Sequence, residues 1–220
     1  MCNSRDDTTT KIDRDECCDA NATERGNGGV PDDWLDGPDV LDAELPADLR
    51  ASLGRFVGRA SVDTLGEWAM HVRRITPGRS IAVEQLCHAD AETEHWGTAG
   101  GERYHFQCFY DAVVLAAIED HPVDVHTESP GGGVVEARAV GSESLSVSPE
   151  SAVFSFGIAN DARERSGGEP TLEDGYAAIC PYVKAFPDYD AYERWADHVP
   201  AATVALPLSG ATDVANALVG

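Results

Sequence analysis

Four short segments with the composition of β-strands follow one another between residues 122 and 158, and no helical segment separates them. Their sequences are PVDVHTES, GVVEARAV, SLSVSPE and AVFSFGI. The first two flank Pro130 and three glycines, which is typical of a hairpin. With the helical segments before and after them, these strands predict an α+β fold in which antiparallel strands are flanked by helices.

Helices are predicted on both sides of the strands. Apolar residues recur at helical spacing from Val40 to Ile75, with an interruption near Pro46, which predicts two or three short helices. Residues 81–96 are expected to form another short helix, and Cys108 to Glu119 an apolar one after the strand-like RYHF. Later helices are expected over residues 172–180 and 189–199 and from residue 211, with a strand at 202–208.

The chain divides by composition into three parts. Residues 1–37 are polar and acidic and offer few apolar side chains to bury, which predicts a disordered acidic tail. Residues 38–98 are predicted to form a helical N-terminal portion, and residues 99–220 a core that contains the strands. With 42% hydrophobic residues in 220, the chain can bury a core of ordinary size.

The charge of the chain is strongly negative. There are 16 Lys and Arg against 39 Asp and Glu, a formal net charge of -23. Nucleic acids and anionic membranes are therefore not expected as partners. The acidic excess continues to about residue 197, so the tail alone does not explain it. We interpret it as the composition of a halophilic protein, in which concentrated salt screens the repulsion between surface carboxylates.

The cysteines are expected to be free thiols. No stretch approaches the roughly 20 apolar residues of a membrane span, and the first 20 residues contain no signal-peptide apolar region. A cytoplasmic location is expected, where reducing conditions keep thiols unpaired. The cysteines at positions 2, 17, 18, 87, 108 and 180 are therefore candidates for metal, redox or catalytic roles.

One pair of residues has the spacing of a reactive site. If Cys108 opens a helix, Asp111 lies one turn further on the same face. The helix N-terminus favours a thiolate, and an apolar wall would raise the pKa of the carboxyl group, so a nucleophile would stand beside a proton carrier. Cys180 precedes Pro181, which ends a helix and leaves backbone groups free to face a site. Taken singly, either cysteine is more often a small core residue.

Three stretches taken together resemble one family. YHFQCFYDAVVLAAI resembles the segment of organomercurial (alkylmercury) lyases in which a cysteine after a strand precedes an aspartate by three residues. LSVSPE is similar to that family's Thr/Ser-Val-Ser-Pro stretch. CPYVKAFPDYDAYERWA resembles the segment with the second active-site cysteine, followed by aromatic residues and a helix that carries a tryptophan. The resemblance covers roughly residues 100–205.

The resemblance implies a lyase that cleaves carbon–mercury bonds by protonolysis, giving a hydrocarbon and Hg(II) in mercury detoxification. It implies that Cys108 and Cys180 bind mercury, with Asp111 handling the proton and contributing to the metal site. Soft Hg(II) prefers thiolates, and the carbon that leaves it needs a positioned acid. No organic cofactor is implied. Small thiols or a mercuric reductase are expected to accept the Hg(II).

The sequence departs from the family pattern in two places. The segment from Thr76 to Gly100 is shorter than in family members, which usually begin with a longer helical region of winged-helix type. Thr127 stands near the position of a further family cysteine, which we interpret as structural, so its loss is compatible with activity.

Alternatives remain at this level. The same cysteines would suit a non-catalytic protein that binds or relays Hg(II) or Cu(I), or the fold could be retained without its chemistry. Cys17 and Cys18 would suit the transfer of Hg(II), although an incidental pair is the simpler interpretation. Cys87 beside His88 lacks the spacing of a zinc site and is interpreted as packing. His105 with Cys108 as a hydrolytic dyad is the least favoured alternative.

Overall fold

The computed structural model of the protein describes residues 40–119, 121–141, 144–162 and 170–220. The predicted acidic tail, residues 1–37, lies outside these ranges, as do Cys2, Cys17 and Cys18. The described residues form two antiparallel sheets and a set of short helices around them.

The larger sheet contains the hairpin that the sequence predicted. Its strands are β1 (His95–Ala99), β2 (Glu102–His105), β3 (Val123–Glu128), β4 (Val134–Val140) and β5 (Ser144–Ser148). They lie in the order β2-β1-β3-β4-β5, and every neighbouring pair is antiparallel. Alternate residues of β3 are buried, which is the pattern of a strand with one face on the core.

The smaller sheet has a fully buried central strand. Its strands are β6 (Val153–Ala159), β7 (Ala185–Phe186) and β8 (Ala201–Pro207), in the order β7-β6-β8. Every residue of β6 is buried, which explains its nearly continuous apolar sequence. At Gly157 a Cβ atom would lie 2.6 Å from Thr203 Cγ2 and 2.7 Å from the Ala202 carbonyl oxygen, so only glycine allows β6 and β8 to approach this closely.

Six α-helices accompany the sheets in the described residues. They are α1 (Ala47–Val57), α2 (Leu65–Ile75), α3 (Tyr110–Ile118), α4 (Leu172–Ile179), α5 (Tyr189–Ala196) and α6 (Ala211–Val219). Capping residues define where two of these helices begin. The Thr64 side chain caps α2 by accepting from the Glu67 N–H, and Thr171 and Asp174 form a reciprocal capping box at α4.

Helix α3 is buried on all sides from Tyr110 to Ala116. One side packs on the larger sheet, where Gly97 of β1 approaches so closely that a Cβ atom would lie 3.0 Å from the Ala112 Cβ. The opposite side packs on α6, and the Tyr110 hydroxyl donates to the Ala211 carbonyl at 2.7 Å. A helix held in this way provides a rigid support for residues at its N-terminus.

A single hydrophobic cluster joins the N-terminal helices to both sheets. Leu53 of α1, Trp68 of α2, Leu115 of α3 and Phe156 of β6 all belong to it. The aromatic rings of Trp68 and Phe156 lie 6.2 Å apart, which is within the range of favourable aromatic pairs. The two N-terminal helices are therefore part of the core that surrounds the site described below.

The helix predicted over residues 81–96 is wrong. Only a 3-10 turn, Val83–Gln85, forms there, and a loop with several bends leads from it to β1. His88 makes an isolated antiparallel bridge with Phe106, and the Ala89 N–H donates to the His105 carbonyl at 2.8 Å. Pairing with distant strands satisfies backbone groups that a helix would otherwise use, so tertiary contacts override the local helical pattern.

The predicted α+β class, with antiparallel strands and flanking helices, is confirmed. Across the described ranges, no helix has both the length and the apolar composition to cross a lipid bilayer.

Candidate active site

Cys108 and Asp111 form a hydrogen-bonded pair at the N-terminus of α3. Cys108 lies two residues before the helix and is 2% exposed, and Asp111 lies in the first turn. The Cys108 thiol donates to Asp111 Oδ2 at a distance of 3.6 Å. The three-residue spacing brings the two side chains together because Phe109, which lies between them, already has helical backbone angles.

The Asp111 carboxyl is unusually basic for an aspartate. Burial raises its pKa from 3.8 to about 6, because an ionised carboxylate is poorly solvated among apolar side chains. The Cys108 thiol and the backbone N–H of Cys87 oppose this rise by hydrogen bonding to the carboxylate. A carboxyl with this pKa can both accept and donate a proton near neutral pH.

Cys180 reaches the same site from the other half of the core. It follows α4 directly and begins the 3-10 turn Cys180–Tyr182, where Pro181 prevents continuation of the α-helix. Ser155 of β6 holds the next residues, since its hydroxyl donates to the Tyr182 carbonyl at 2.8 Å and accepts from the Lys184 N–H at 3.0 Å. The thiol of Cys180 is half-buried.

Three thiols meet at this point. The thiols of Cys108 and Cys87 are the two neighbours that raise the pKa of Cys180 most, and burial adds to the rise. These neighbours and burial together favour the protonated form of the Cys180 thiol. Cys108 and Cys180, chosen from the sequence, are therefore neighbours in the fold, and Cys87 accompanies them.

Cys87 was interpreted from the sequence as packing, and the fold places it at the site instead. Its loop pairs with the segment that precedes α3, where the Gln107 N–H donates to the Cys87 carbonyl at 2.9 Å. This pairing places Cys87 at the site. Because this pairing joins residues that are 20 positions apart, no local pattern in the sequence announces it.

A small apolar cavity of about 90 Å³ adjoins the pair and Cys180. Cys108, Asp111 and Cys180 line it together. The rest of its wall is almost entirely apolar and comes from several elements, with Trp68 and Val72 from α2, Phe154 and Phe156 from β6, and Ile179 from α4. Phe106 and Phe186 are fully buried core residues outside this lining.

Two further residues considered from the sequence have other partners. His105 Nδ1 accepts a hydrogen bond from the Thr93 N–H at 3.0 Å, whereas the hydrogen-bond partner of Cys108 is Asp111. Thr127 is 1% exposed on β3, and its hydroxyl pairs with His95 Nδ1 at 2.7 Å. Thr127 thus joins two strands within the sheet, and neither His105 nor Thr127 lines the cavity.

The chemistry available here is that of paired thiols beside a proton carrier. Two thiolates provide the linear coordination that soft Hg(II) favours, and Asp111 can move protons within the same apolar space. Within the described ranges no group of three His, Cys, Asp or Glu side chains is arranged to hold a metal ion at once. The arrangement therefore offers two sulfur ligands and one proton carrier at the same cavity.

Comparison with a family model identifies the family to which the chain belongs. A solved structure described as the mercury-bound form of MerB2 shares 16% sequence identity with the chain, with a TM-score of 0.44 and 58% of each chain covered. The chain thus spans 58% of the length of that relative. The comparison with curated proteins found no match. The family model described as MerB, alkylmercury lyase, matches residues 89–220, which is more than half of the chain and contains Cys108, Asp111 and Cys180. The chain therefore belongs to the alkylmercury lyase family.

Proposed function

We propose that this protein is an organomercurial lyase that cleaves carbon–mercury bonds by protonolysis and so contributes to mercury detoxification. The observation that carries the proposal is the Cys108–Asp111 pair, with sulfur and oxygen 3.6 Å apart, at an apolar cavity that Cys180 also lines. Family membership supports the same reaction class.

The first step is capture of the organomercurial cation by Cys108. Its sulfur bonds to mercury, and the thiol proton passes to Asp111, the hydrogen-bond acceptor already in place. The pKa of about 6 makes Asp111 mostly ionised in neutral solution and ready to accept this proton. The product is a mercury atom bonded to one sulfur and one carbon, beside a neutral Asp111.

The second step uses Cys180. Bonding of its sulfur to mercury weakens the carbon–mercury bond and leaves negative charge on carbon. Asp111 donates its proton to that carbon, and the Cys180 proton returns the carboxyl to its protonated form before leaving to solvent. In total, two thiols and one organomercurial cation give a hydrocarbon, Hg(II) on two sulfurs and one released proton.

The cavity wall favours an apolar organic group. Trp68, Phe154 and Phe156 surround the space next to the reacting atoms, and water would find few polar partners there. Exclusion of water keeps the Asp111 proton available for the carbon atom. We propose small alkyl and aryl groups as the portion of the substrate that occupies this space.

Product release completes the cycle. We propose that small thiols or a mercuric reductase remove Hg(II) by ligand exchange, in the cytoplasm of a cell with a high internal salt concentration. The net charge of -23 supports the salt-rich setting, since repulsion of this size needs strong screening. No organic cofactor enters the proposed reaction.

Gas-phase detection of methane or benzene from methylmercury or phenylmercury tests the proposal, in concentrated KCl with excess small thiol. Cys108→Ala, Cys180→Ala and Asp111→Asn should each reduce release by about 100-fold or more, as expected when a general acid or nucleophile is removed. Asp190→Asn, on the exposed start of α5, is the matched control and should retain full release.

Hydrocarbon release, and not mercury binding, separates this proposal from a protein that only binds mercury. If the natural protein binds Hg(II) stoichiometrically and releases no hydrocarbon from either substrate, the lyase proposal fails and thiol-based sequestration or relay replaces it. If the Asp111→Asn variant releases hydrocarbon as fast as the natural protein, the assigned proton carrier is wrong.

A further inference from the structure

Hydrogen bonds of the backbone on both sides of Cys87 hold this residue at the site. The Gln107 N–H donates to the Cys87 carbonyl at 2.9 Å, and the next residue, His88, forms a bridge with Phe106. These contacts align the loop with the segment that leads into Cys108. On the other side, the Tyr176 hydroxyl of α4 donates to the Gln85 carbonyl at 2.6 Å, which ties the loop to the helix that ends at Cys180.

The three thiols differ in their contacts and in their access to solvent. Cys180 is the shared neighbour, because it lines the cavity with Cys108 and directly follows helix α4, which the Tyr176–Gln85 hydrogen bond ties to the loop that carries Cys87. Cys108 is 2% exposed and faces the cavity, whereas Cys87 is half-buried and is not part of the cavity lining. Cys87 is therefore more accessible to solvent than Cys108.

We propose that Cys87 is an exit ligand, which replaces Cys108 on Hg(II) after cleavage and carries the ion from the buried pair Cys108–Cys180 to the more exposed pair Cys87–Cys180. The proposal rests on the proposed function in that Cys108 and Cys180 are taken as the first two ligands. It adds a third residue to the path of the product.

The exchange is balanced without any additional reactant. The Cys87 sulfur forms a bond to mercury, the Cys108 sulfur gives up its bond, and the Cys87 proton ends on the Cys108 sulfur. Mercury remains Hg(II) with two sulfur ligands before and after the step. Thiolate ligands exchange rapidly on mercury by such associative attack.

Binding of inorganic Hg(II) tests the exit pair without any cleavage. All proteins are full-length and carry Cys2→Ser, Cys17→Ser and Cys18→Ser, so that thiols outside the described residues do not compete. Each is loaded with one equivalent of HgCl₂ and challenged with a monothiol. The Cys108→Ser variant should retain Hg(II) on Cys87 and Cys180, and a further Cys87→Ser change should release it roughly 100-fold more readily, since one thiolate replaces two.

Ala89→Ser combined with Cys108→Ser is the matched control, because Ala89 lies in the same loop and is half-buried. It should retain Hg(II) like Cys108→Ser alone. If Cys108→Ser loses Hg(II) as readily as the variant that also lacks Cys87, the proposal is overturned.

A second readout uses the protein with its three site thiols intact. One equivalent of HgCl₂ should slow alkylation of Cys87 by iodoacetamide severalfold, as measured by peptide mass spectrometry. An unchanged alkylation rate at Cys87 would also overturn the proposal. Failure of hydrocarbon release with both binding results intact would contradict the proposed lyase function and leave the exit pair standing.

Discussion

At the scale of the single residue, Asp111 combines a proposed role in proton transfer with an energetically unfavourable burial of its carboxyl group. The fold buries a carboxyl group whose main compensation is a thiol at 3.6 Å and a backbone N–H, and its pKa rises to about 6. A group that is harder to ionise in the folded protein than in the unfolded chain destabilises the fold wherever it is ionised. The residue that we propose for proton transfer is therefore expected to weaken the protein.

Replacement of Asp111 by Asn should stabilise the protein at pH 8. The pKa rises from 3.8 to about 6 on folding, so the folded state binds the proton more tightly and stability falls as pH rises through that window. Above about pH 6 the full penalty applies, at most about 3 kcal/mol. Asp111→Asn removes it, and its advantage should disappear as pH falls towards 4. Urea unfolding at several pH values measures the difference.

The matched control for this effect is Glu84→Gln. Glu84 is an exposed carboxyl in the 3-10 turn Val83–Gln85, close in sequence to Cys87. Its effect on the free energy of unfolding at pH 8 should be small, as for most exposed surface substitutions. Equal stability of Asp111→Asn and the natural protein at pH 8 would contradict the claim that burial of this carboxylate is costly.

At the same scale, the sequence is informative only where contacts are local. The Cys108–Asp111 pair follows from helical spacing, and the structure has the two side chains in hydrogen-bond contact. The position of Cys180 beside Cys108 could be inferred from family resemblance but not from spacing. Cys87 carries no local signal, because its place depends on a backbone pairing with Gln107.

At the scale of elements, most helices and strands follow from apolar periodicity and turn residues. The hairpin of β3 and β4 is predicted because Pro130 and three glycines separate two alternating segments. Strand β1 is not predicted, and its first two residues are assigned to the helix over residues 81–96, which does not form. Its partners β2 and β3 supply the hydrogen bonds that define it. The contribution of α2 to the cavity wall likewise depends on contacts between residues that are far apart in the sequence.

Helix α4 offers a direct test of the cavity as the place of the organic group. Gly175 lines the cavity, and a Cβ atom there would meet nothing within 4 Å, so Gly175→Ala should reduce the open space without a clash. Alanine in a helix interior also adds up to about 1 kcal/mol of stability. We expect kcat/KM for phenylmercury to fall more than that for methylmercury, measured by hydrocarbon release.

Gly131→Ala is the control, since its Cβ would also lie in open space but the residue is in the β3–β4 turn, outside the cavity lining. It should leave the ratio of the two kcat/KM values unchanged. If Gly175→Ala also leaves that ratio unchanged, the organic group does not occupy this cavity.

At the scale of the whole molecule, charge is the dominant property. The formal net charge of -23 on 220 residues produces repulsion that opposes compaction. Salt shortens the screening length from about 10 Å at roughly 0.1 M to about 3 Å at 1 M, which removes most interactions between separated surface charges. Stability is therefore expected to depend on the medium.

The unfolding temperature should rise steeply as KCl increases from about 0.1 M to 2 M, because screening relieves repulsion that the folded state concentrates. Differential scanning calorimetry measures it. NaCl at the same ionic strength should act similarly if general screening is the cause. An unfolding temperature that stays constant over this range would contradict the halophilic interpretation.

The central claim is that two thiols and one carboxyl perform protonolysis at the cavity, and a single turnover tests it most directly. Phenylmercury is mixed with a small excess of protein in concentrated KCl, without external thiol, and both benzene and protein-bound mercury are measured. We predict one equivalent of benzene per phenylmercury, with all the mercury retained on the protein as Hg(II). Phenylmercury that remains bound and intact, with no benzene formed, would contradict the account.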